Sequence, residues 1–312
     1  MSGIVPMEAS PDARFPDLVP TIGVASLPDD AASIDDGTTG LPGLLQGEEA
    51  TEDELIEKGY PCNASTNCVA GVFGNDNRSP RSVADYGDTG HPYTLVGKVI
   101  LWQPPSGGNP AYPVGHCTGF LVGRRVVMTN AHCVHDPITG FYYWHTFSPR
   151  HDGEQPSRWG TADYDGDGQK EVASEAAYVD PGFSAANVNN GTSNQHDKAF
   201  LILTNDAPNL GYWGVTVPSS SSNIGTIRTF GYPAGKRNVL YYGYTNNWQF
   251  DGNGRTMSTM VDITGGQSGS PLYSTTISSG RWVFALINTV GEGVRIDSDD
   301  IAVINYYRGL VP

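Results

Sequence analysis

The chain has 312 residues, with 33 Asp plus Glu against 18 Lys plus Arg, a formal net charge of −15. That acidic balance argues against nucleic acid as a partner, because phosphate binding needs basic surface. No apolar run of spanning length occurs, which excludes a helical membrane protein. Its 39 Gly and 22 Pro, with many Tyr, Val, Ile and Thr, suit short strands joined by turns.

The first 71 residues stand apart. They hold 13 Asp plus Glu against two Lys plus Arg and are rich in Pro, Gly and Ser. One stretch, EEATEDELIEKGY (Glu48 to Tyr60), reads as helical. A segment so charged and so poor in core-forming residues reads as a solvated tail. No apolar run of signal-peptide length follows Met1, so export would require an earlier leader removal or another route. Four cysteines without C-x-x-C metal spacing point to disulfides and an oxidising compartment.

Further along come CTGFLV (Cys117 to Val122) and TNAHCV (Thr129 to Val134), the second carrying His132. His116 and His135 lie near it without such a motif and are expected to be surface or packing residues. In DYDGDGQKE, Asp163, Asp165 and Asp167 alternate ahead of Gly168, like the first half of a calcium loop. The twelfth position of such a loop is Ser174, where a bidentate Glu is needed, so a polar turn stands as the alternative. Next, HDKAFLIL places Asp197 at the head of an apolar strand, with His196 as a neighbour. TGGQSGSPLY then presents Ser268 in a glycine-rich turn. At the end, Ser298 caps a predicted helix over DDIAVINYYRGL, with acidic residues in its first turn and Gly309 near its stop.

A serine hydroxyl is a weak nucleophile at neutral pH and needs a base oriented by a carboxylate. Here the order is His132, Asp197, Ser268. The α/β-hydrolase order needs a histidine after the serine, and the last histidine is His196. Subtilisin order needs an aspartate ahead of the histidine, where no fitting context occurs. The order that remains is that of the chymotrypsin-like proteases.

The motifs VFGNDNR (Val72 to Arg78), CTGFLV, TNAHCV, HDKAFLIL, FGYP, GGQSGSPLY, INTVG and GVRI follow one another in a familiar sequence. Over that span the chain resembles the glutamyl endopeptidase (staphylococcal-protease-like) branch of the chymotrypsin-like serine proteases. The resemblance implies an all-β fold, two six-stranded antiparallel barrels with a C-terminal helix, behind a largely irregular acidic N-terminal segment. It implies a protease domain over residues 72–312, with barrels over about 72–208 and 209–312, and a pro-segment over 1–71 ending before Val72. It also implies a secreted serine endopeptidase, acting on protein or peptide substrates through an acyl-enzyme. The expectation includes no required cofactor, a structural calcium at Asp163, Asp165 and Asp167 standing against the polar-turn reading, a monomer, and no membrane or nucleic-acid partner. A non-catalytic binding or adhesion protein on the same fold, or an esterase with the same triad, are the alternatives.

The same resemblance assigns Ser268 as nucleophile, His132 as base and Asp197 as its orienting carboxylate. The backbone N–H groups of Gly266 and Ser268 become the oxyanion hole. It pairs Cys117 with Cys133, sixteen residues apart, which leaves Cys62 with Cys68. In this branch a histidine in an Ile-His-Thr stretch meets the substrate glutamate; the matching stretch is Ile287-Asn288-Thr289. The family's pocket threonine is Ile263 here, with Thr264 beside it. Asp262 stands six residues before Ser268, where trypsin places a carboxylate, and Arg295 matches a family arginine. Without a cation such a pocket is expected to disfavour an ionised carboxylate, so relaxed selectivity follows. Gln267 replaces the aspartate that trypsin pairs with its freed N-terminus, so maturation is expected to work differently.

Overall fold

The computed structural model describes residues 72–310, apart from 74–75, 82–91, 104–111, 139–140, 152–159, 161, 165–167, 190, 207–209, 219–220, 222–223, 235, 237–238 and 277–280. The expected pro-segment over 1–71 and the Cys62–Cys68 bridge lie outside these residues, as do Asp165 and Asp167.

In chain order the strands are β1 (Ser79–Arg81), β2 (Val96–Gln103), β3 (Tyr112–Leu121), β4 (Val126–Thr129), β5 (His135–Asp136), β6 (Phe141–Tyr142), β7 (Trp144–Pro149), β8 (Val172–Val179) and β9 (Ala199–Leu203). They continue as β10 (Gly214–Val215), β11 (Ile227–Gly231), β12 (Leu240–Thr245), β13 (Trp248–Phe250), β14 (Thr256–Thr259), β15 (Pro271–Ser274), β16 (Trp282–Thr289) and β17 (Glu292–Arg295). Two helices, α1 (Ala185–Asn189) and α2 (Ser298–Leu310), complete the described elements. Among the described residues no helix is long and apolar enough to cross a membrane.

Strands β2, β3, β4, β9, β8 and β7 close into a six-stranded barrel. Its filling follows the two-residue period of a strand. In β2, Val99 and Leu101 join the main core with Phe120, Val127, Phe147 and Leu201. The alternate residues Ile100 and Trp102 pack on the other face against Trp144 and Ala173. Burial on both faces explains why VGKVILWQ reads as a continuous apolar run.

The second half corrects the expectation of two closed six-stranded barrels. It is a nine-stranded sheet in the order β1-β12-β11-β15-β16-β17-β14-β13, with β10 pairing parallel to β16. The outer edge of β12 is taken by β1, with Ser79 opposite Tyr242 and Arg81 opposite Leu240. That edge is therefore already paired, and no ladder joins β12 to β13. A strand from the N-terminal segment thus completes the second sheet.

The predicted C-terminal helix is present, but its cap is Asp297. Its Oδ1 accepts from the amides of Asp299 (3.0 Å) and Asp300 (3.1 Å), and its own amide donates to Asp300 Oδ2 at 2.8 Å. This reciprocal arrangement is a capping box, in which an aspartate reaches the first-turn amides that a Ser298 hydroxyl would otherwise serve. Gly309 lies in its last turn, near the stop as expected.

Candidate active site

Register brings the first two residues together. In the antiparallel β4–β9 pair, Thr129 faces Ala199 and Val126 faces Ile202. The residues just beyond the end of β4 therefore meet those just before the start of β9. The former are Asn130 and the 3₁₀ turn Ala131–Cys133; the latter are Asp197 and the 3₁₀ turn Ser193–His196. His132 Nδ1 lies 2.6 Å from Asp197 Oδ2, and the His132 amide donates to Asp197 Oδ1 at 2.8 Å. Asn130 Nδ2 donates to the Asp197 carbonyl at 2.7 Å. Asp197 is 2% exposed. An ionised carboxylate only accepts, so the Nδ1–H tautomer fits and leaves Nε2 with its lone pair.

The turn holding Ser268 is stitched to the same strands. Thr118 in β3 donates its amide to the Ser268 carbonyl at 2.8 Å. Its hydroxyl donates to the Gly266 carbonyl at 2.9 Å and accepts from the Tyr232 amide at 3.0 Å. Thr129, three residues before His132, donates its hydroxyl to the Thr118 carbonyl at 2.8 Å. Gly269 has φ +83°, and a Cβ there would collide with the Thr118 carbonyl and the Thr129 hydroxyl. The backbone after Ser268 thus lies directly on the strand that leads into His132. The Cys117–Cys133 disulfide joins β3 to the 3₁₀ turn after β4, beside the His132 ring.

Turn geometry follows from local bonds. Gln267 donates its amide to Thr264 O at 3.2 Å, and Ser270 to Gln267 O at 3.0 Å. Gly269 donates to Ile287 O at 2.9 Å, and Ile287 returns a bond to Ser270 O at 2.8 Å. Gly266 sits at φ +84°, where an added Cβ would meet Tyr232 O at 2.5 Å and His116 Nε2. Among the described residues no protein acceptor engages the amides of Gly266 or Ser268.

His116, expected as a surface or packing residue, abuts this turn: its Nε2 lies 2.9 Å from the Tyr232 carbonyl. Burial, with the charge of Lys98, pushes His116 down to about 3, so it is neutral and donates Nε2–H. Nothing in the local sequence signals this role, since Tyr232 is far away in the chain. His135 is half-buried on the small hairpin β5–β6, and burial lowers its pKa. His196 Nδ1 contacts Asp180 Oδ1 at 3.1 Å, not Asp197.

The five residues named for a specificity pocket part company. Asp262 is 1% exposed, and its oxygens accept from the amides of Phe73 (2.7 Å) and Asn77 (2.9 Å). Ile263 belongs to the second sheet's core with Val261, Phe284 and Ile287. The Thr264 hydroxyl accepts from Arg78 at 2.9 Å. Arg295 donates to Gly254 O at 2.9 Å and Pro218 O at 3.2 Å, and stacks 3.8 Å from the Phe250 ring centroid. Asn288, 6% exposed, keeps a buried side-chain donor, Nδ2, without a hydrogen-bond partner among the described residues, and so does Arg295 at Nε.

Asp163 Oδ2 accepts from the Gly168 amide at 3.0 Å, which closes a turn. Among the described residues Cys117, His132 and Cys133 cluster as metal ligands would. The two sulfurs are bonded to each other, so they cannot present thiolates to zinc.

Residues 117–283 match the family description of the trypsin-like peptidase domain. A glutamyl endopeptidase of Bacillus licheniformis is 27% identical over 227 residues, 70% of this chain and 60% of that protein. The chain thus spans less than two thirds of that relative's length. An extracellular metalloprotease of Bacillus subtilis is 25% identical over 251 residues, 78% of this chain and 72% of that protein. Among solved structures, a Glu endopeptidase superposes with TM-score 0.55 at 19% identity, covering 76% of this chain and 99% of that one. The protease Anisep of Arthrobacter nicotinovorans gives 0.50 at 20%, covering 71% and 98%. At these identities the superpositions establish a shared chymotrypsin-like fold.

Proposed function

Because the chain belongs to the trypsin-like peptidase family, we propose that it is a serine endopeptidase in which Ser268, His132 and Asp197 form the catalytic triad. Ser268 Oγ attacks the scissile carbonyl while His132 Nε2 accepts its proton, then returns that proton to the leaving amine. Water deacylates the resulting acyl-enzyme by the same route. Asp197 holds the imidazole through Nδ1–H and stabilises the imidazolium. The amides of Gly266 and Ser268 receive the oxyanion. What supports this is the pair of bonds from His132 to Asp197, together with the bonds by which Thr118 and Thr129 tie the Ser268 turn to the strand ahead of His132.

On the substrate side, Asn288 offers a neutral donor, and Arg295 directs both terminal nitrogens to the carbonyls of Gly254 and Pro218. A pocket without a cation disfavours an ionised side chain, so cleavage with relaxed selectivity fits better than strict cleavage after Glu. Residues 72–312 form the peptidase unit, residues 1–71 act as a pro-segment, and the disulfide suits an extracellular protein.

Active-site titration with a fluorophosphonate, followed by a peptide library, tests this assignment. The wild type should label at Ser268 and cleave peptide bonds in the library, whatever its rate on the intrinsically more reactive esters. Ser268→Ala should fold, fail to label and lose about 10⁶ in kcat. Undiminished cleavage by that variant would overturn the triad; ester-only turnover would leave an esterase.

A further inference from the structure

Residues 72–81 do more than extend the second sheet. Beyond β1, Phe73 and Asn77 donate their amides to the buried carboxylate of Asp262, at 2.7 and 2.9 Å. Between this anchor and the strand, the Arg78 side chain runs inward and is 2% exposed. Asp76 holds one side of its guanidinium, Oδ1 accepting from Nε at 2.9 Å and Oδ2 from Nη2 at 2.8 Å. Nη1, the remaining arm, donates to Gln267 Oε1 at 2.7 Å and to Thr264 Oγ1 at 2.9 Å.

Those two acceptors are the two ends of the turn that carries Gly266. Gln267 Oε1 also accepts from the Thr264 amide at 3.0 Å, so a single oxygen gathers both. Gln267 is fully buried, and the amides flanking it, of Gly266 and Ser268, have no protein acceptor among the described residues. Gly266 at φ +84° has the conformational freedom of glycine, so the turn keeps one arrangement of its unsatisfied amides only while its neighbours hold it. A charge-assisted, forked donor in a dry site is a strong and directional restraint. Gln267 has no charge with which to receive a cationic chain terminus, and a guanidinium delivered from Arg78 needs none.

We propose that Arg78 is a positioning residue for the oxyanion-binding turn, its guanidinium oriented by Asp76 and clamping Gln267 and Thr264 so that the Gly266 and Ser268 amides point at the developing charge. Residues 76–81, at the start of the peptidase unit, are in this way a working part of it. The proposal rests on the serine-peptidase assignment above, and its test separates the two.

The test uses the active full-length protein and three variants, Arg78→Gln, Arg78→Lys and Gln267→Leu, with the double variant Arg78→Gln/Gln267→Leu. Each is measured for kcat, KM, thermal unfolding and affinity for a peptide trifluoromethyl ketone, which forms a tetrahedral adduct with the serine. Arg78→Gln should lower kcat about 10- to 100-fold with KM little changed, and ketone affinity should fall in step with kcat/KM. Arg78→Lys should recover part of this, because a point charge cannot span all three partners. The double variant should be no worse than the worse single one, as expected for residues acting through one contact. If Arg78→Gln fails to fold, Gln267→Leu, which leaves Arg78 and Asp76 in place, must show the same kcat and ketone losses. Wild-type protein that no fluorophosphonate labels would overturn the peptidase assignment and this proposal with it. Labelled wild type, with full kcat and ketone affinity in Arg78→Gln or in a folded Gln267→Leu, would overturn the clamp alone. So would losses confined to KM, or a kcat loss with unchanged ketone affinity.

Discussion

Replacing Lys198 by Met should destabilise the protein in a way that pH reverses. Lys198 lies between Asp197 and β9 and is 1% exposed. Its ammonium sits 2.6 Å from Asp300 Oδ2, 2.8 Å from Asp297 Oδ2 and 3.9 Å from Asp180 Oδ2. Asp297 keeps its bonds from the helix amides and has Arg255 at 3.8 Å, so its loss is small. Asp300 is 5% exposed and would be left as a buried charge without its cation. Removing one partner of a buried pair costs roughly 3–5 kcal/mol, and the remaining amide bonds place Lys198→Met near about 3 kcal/mol. For a domain of this size that corresponds to roughly 6–12 °C in Tm.

The pH dependence supplies the sharper test. Burial pushes the Asp300 carboxyl up to about 7 against the opposing pull of Lys198. Its neighbours Asp180, Asp297 and Tyr178 add no positive charge, and His196 faces Asp180. Without the ammonium the folded-state pKa of Asp300 rises further. A folded pKa above the unfolded one means stability is fully present below the unfolded pKa and is lost as pH rises through the folded pKa. The deficit of Lys198→Met relative to wild type should therefore be largest above about pH 8 and shrink toward about pH 5. Urea unfolding across that range measures it. A deficit under about 1 kcal/mol, or one that grows on acidification, would refute the reasoning.

Three further outcomes are expected. Gly266→Ala must place a Cβ against Tyr232 O at 2.5 Å with φ at +84°, so the turn should shift; kcat should fall at least about 10²-fold, and unchanged kinetics would mean the turn is not strained. Replacing Cys117 and Cys133 by Ala opens a link of sequence separation 16, worth about 3 kcal/mol by loop-closure entropy and measurable by urea unfolding. Burial pushes His145 down to about 4 from 6.5, with Nε2–H donating to Cys133 O at 3.0 Å. A depressed pKa means its stability is present above pH 6.5 and is lost as pH falls through about 4, and His145→Gln should flatten the acid limb of Tm against pH by one proton, about 1.4 kcal/mol per pH unit.

Short-range chemistry was legible in the amino-acid order alone. The apolar run AFLIL marked a buried strand, and the glycine-rich turn around Ser268 marked a backbone bend that suits glycine. The His132, Asp197, Ser268 order, with a cysteine beside His132, pointed to the fold because few arrangements allow that order. The strand, turn and single-motif signals each lie within a few residues, where sterics and hydrogen bonding act directly on neighbours; the order of the three motifs along the chain is read without any contact between them. Contacts between distant segments left no such mark. That β1 takes the edge of β12, that Asp262 is held by the Phe73 and Asn77 amides, and that Arg295 turns toward Gly254 all depend on how strands meet across the sheet. The same holds for His116, whose neutrality comes from burial under the Tyr232 loop. Even the helix cap moved by one residue, because an aspartate at 297 could bond two amides of the first turn while also meeting Lys198 from the other half of the molecule. Residue type set which groups could act; the tertiary structure decided which of them were already satisfied by the protein and which were left for a substrate.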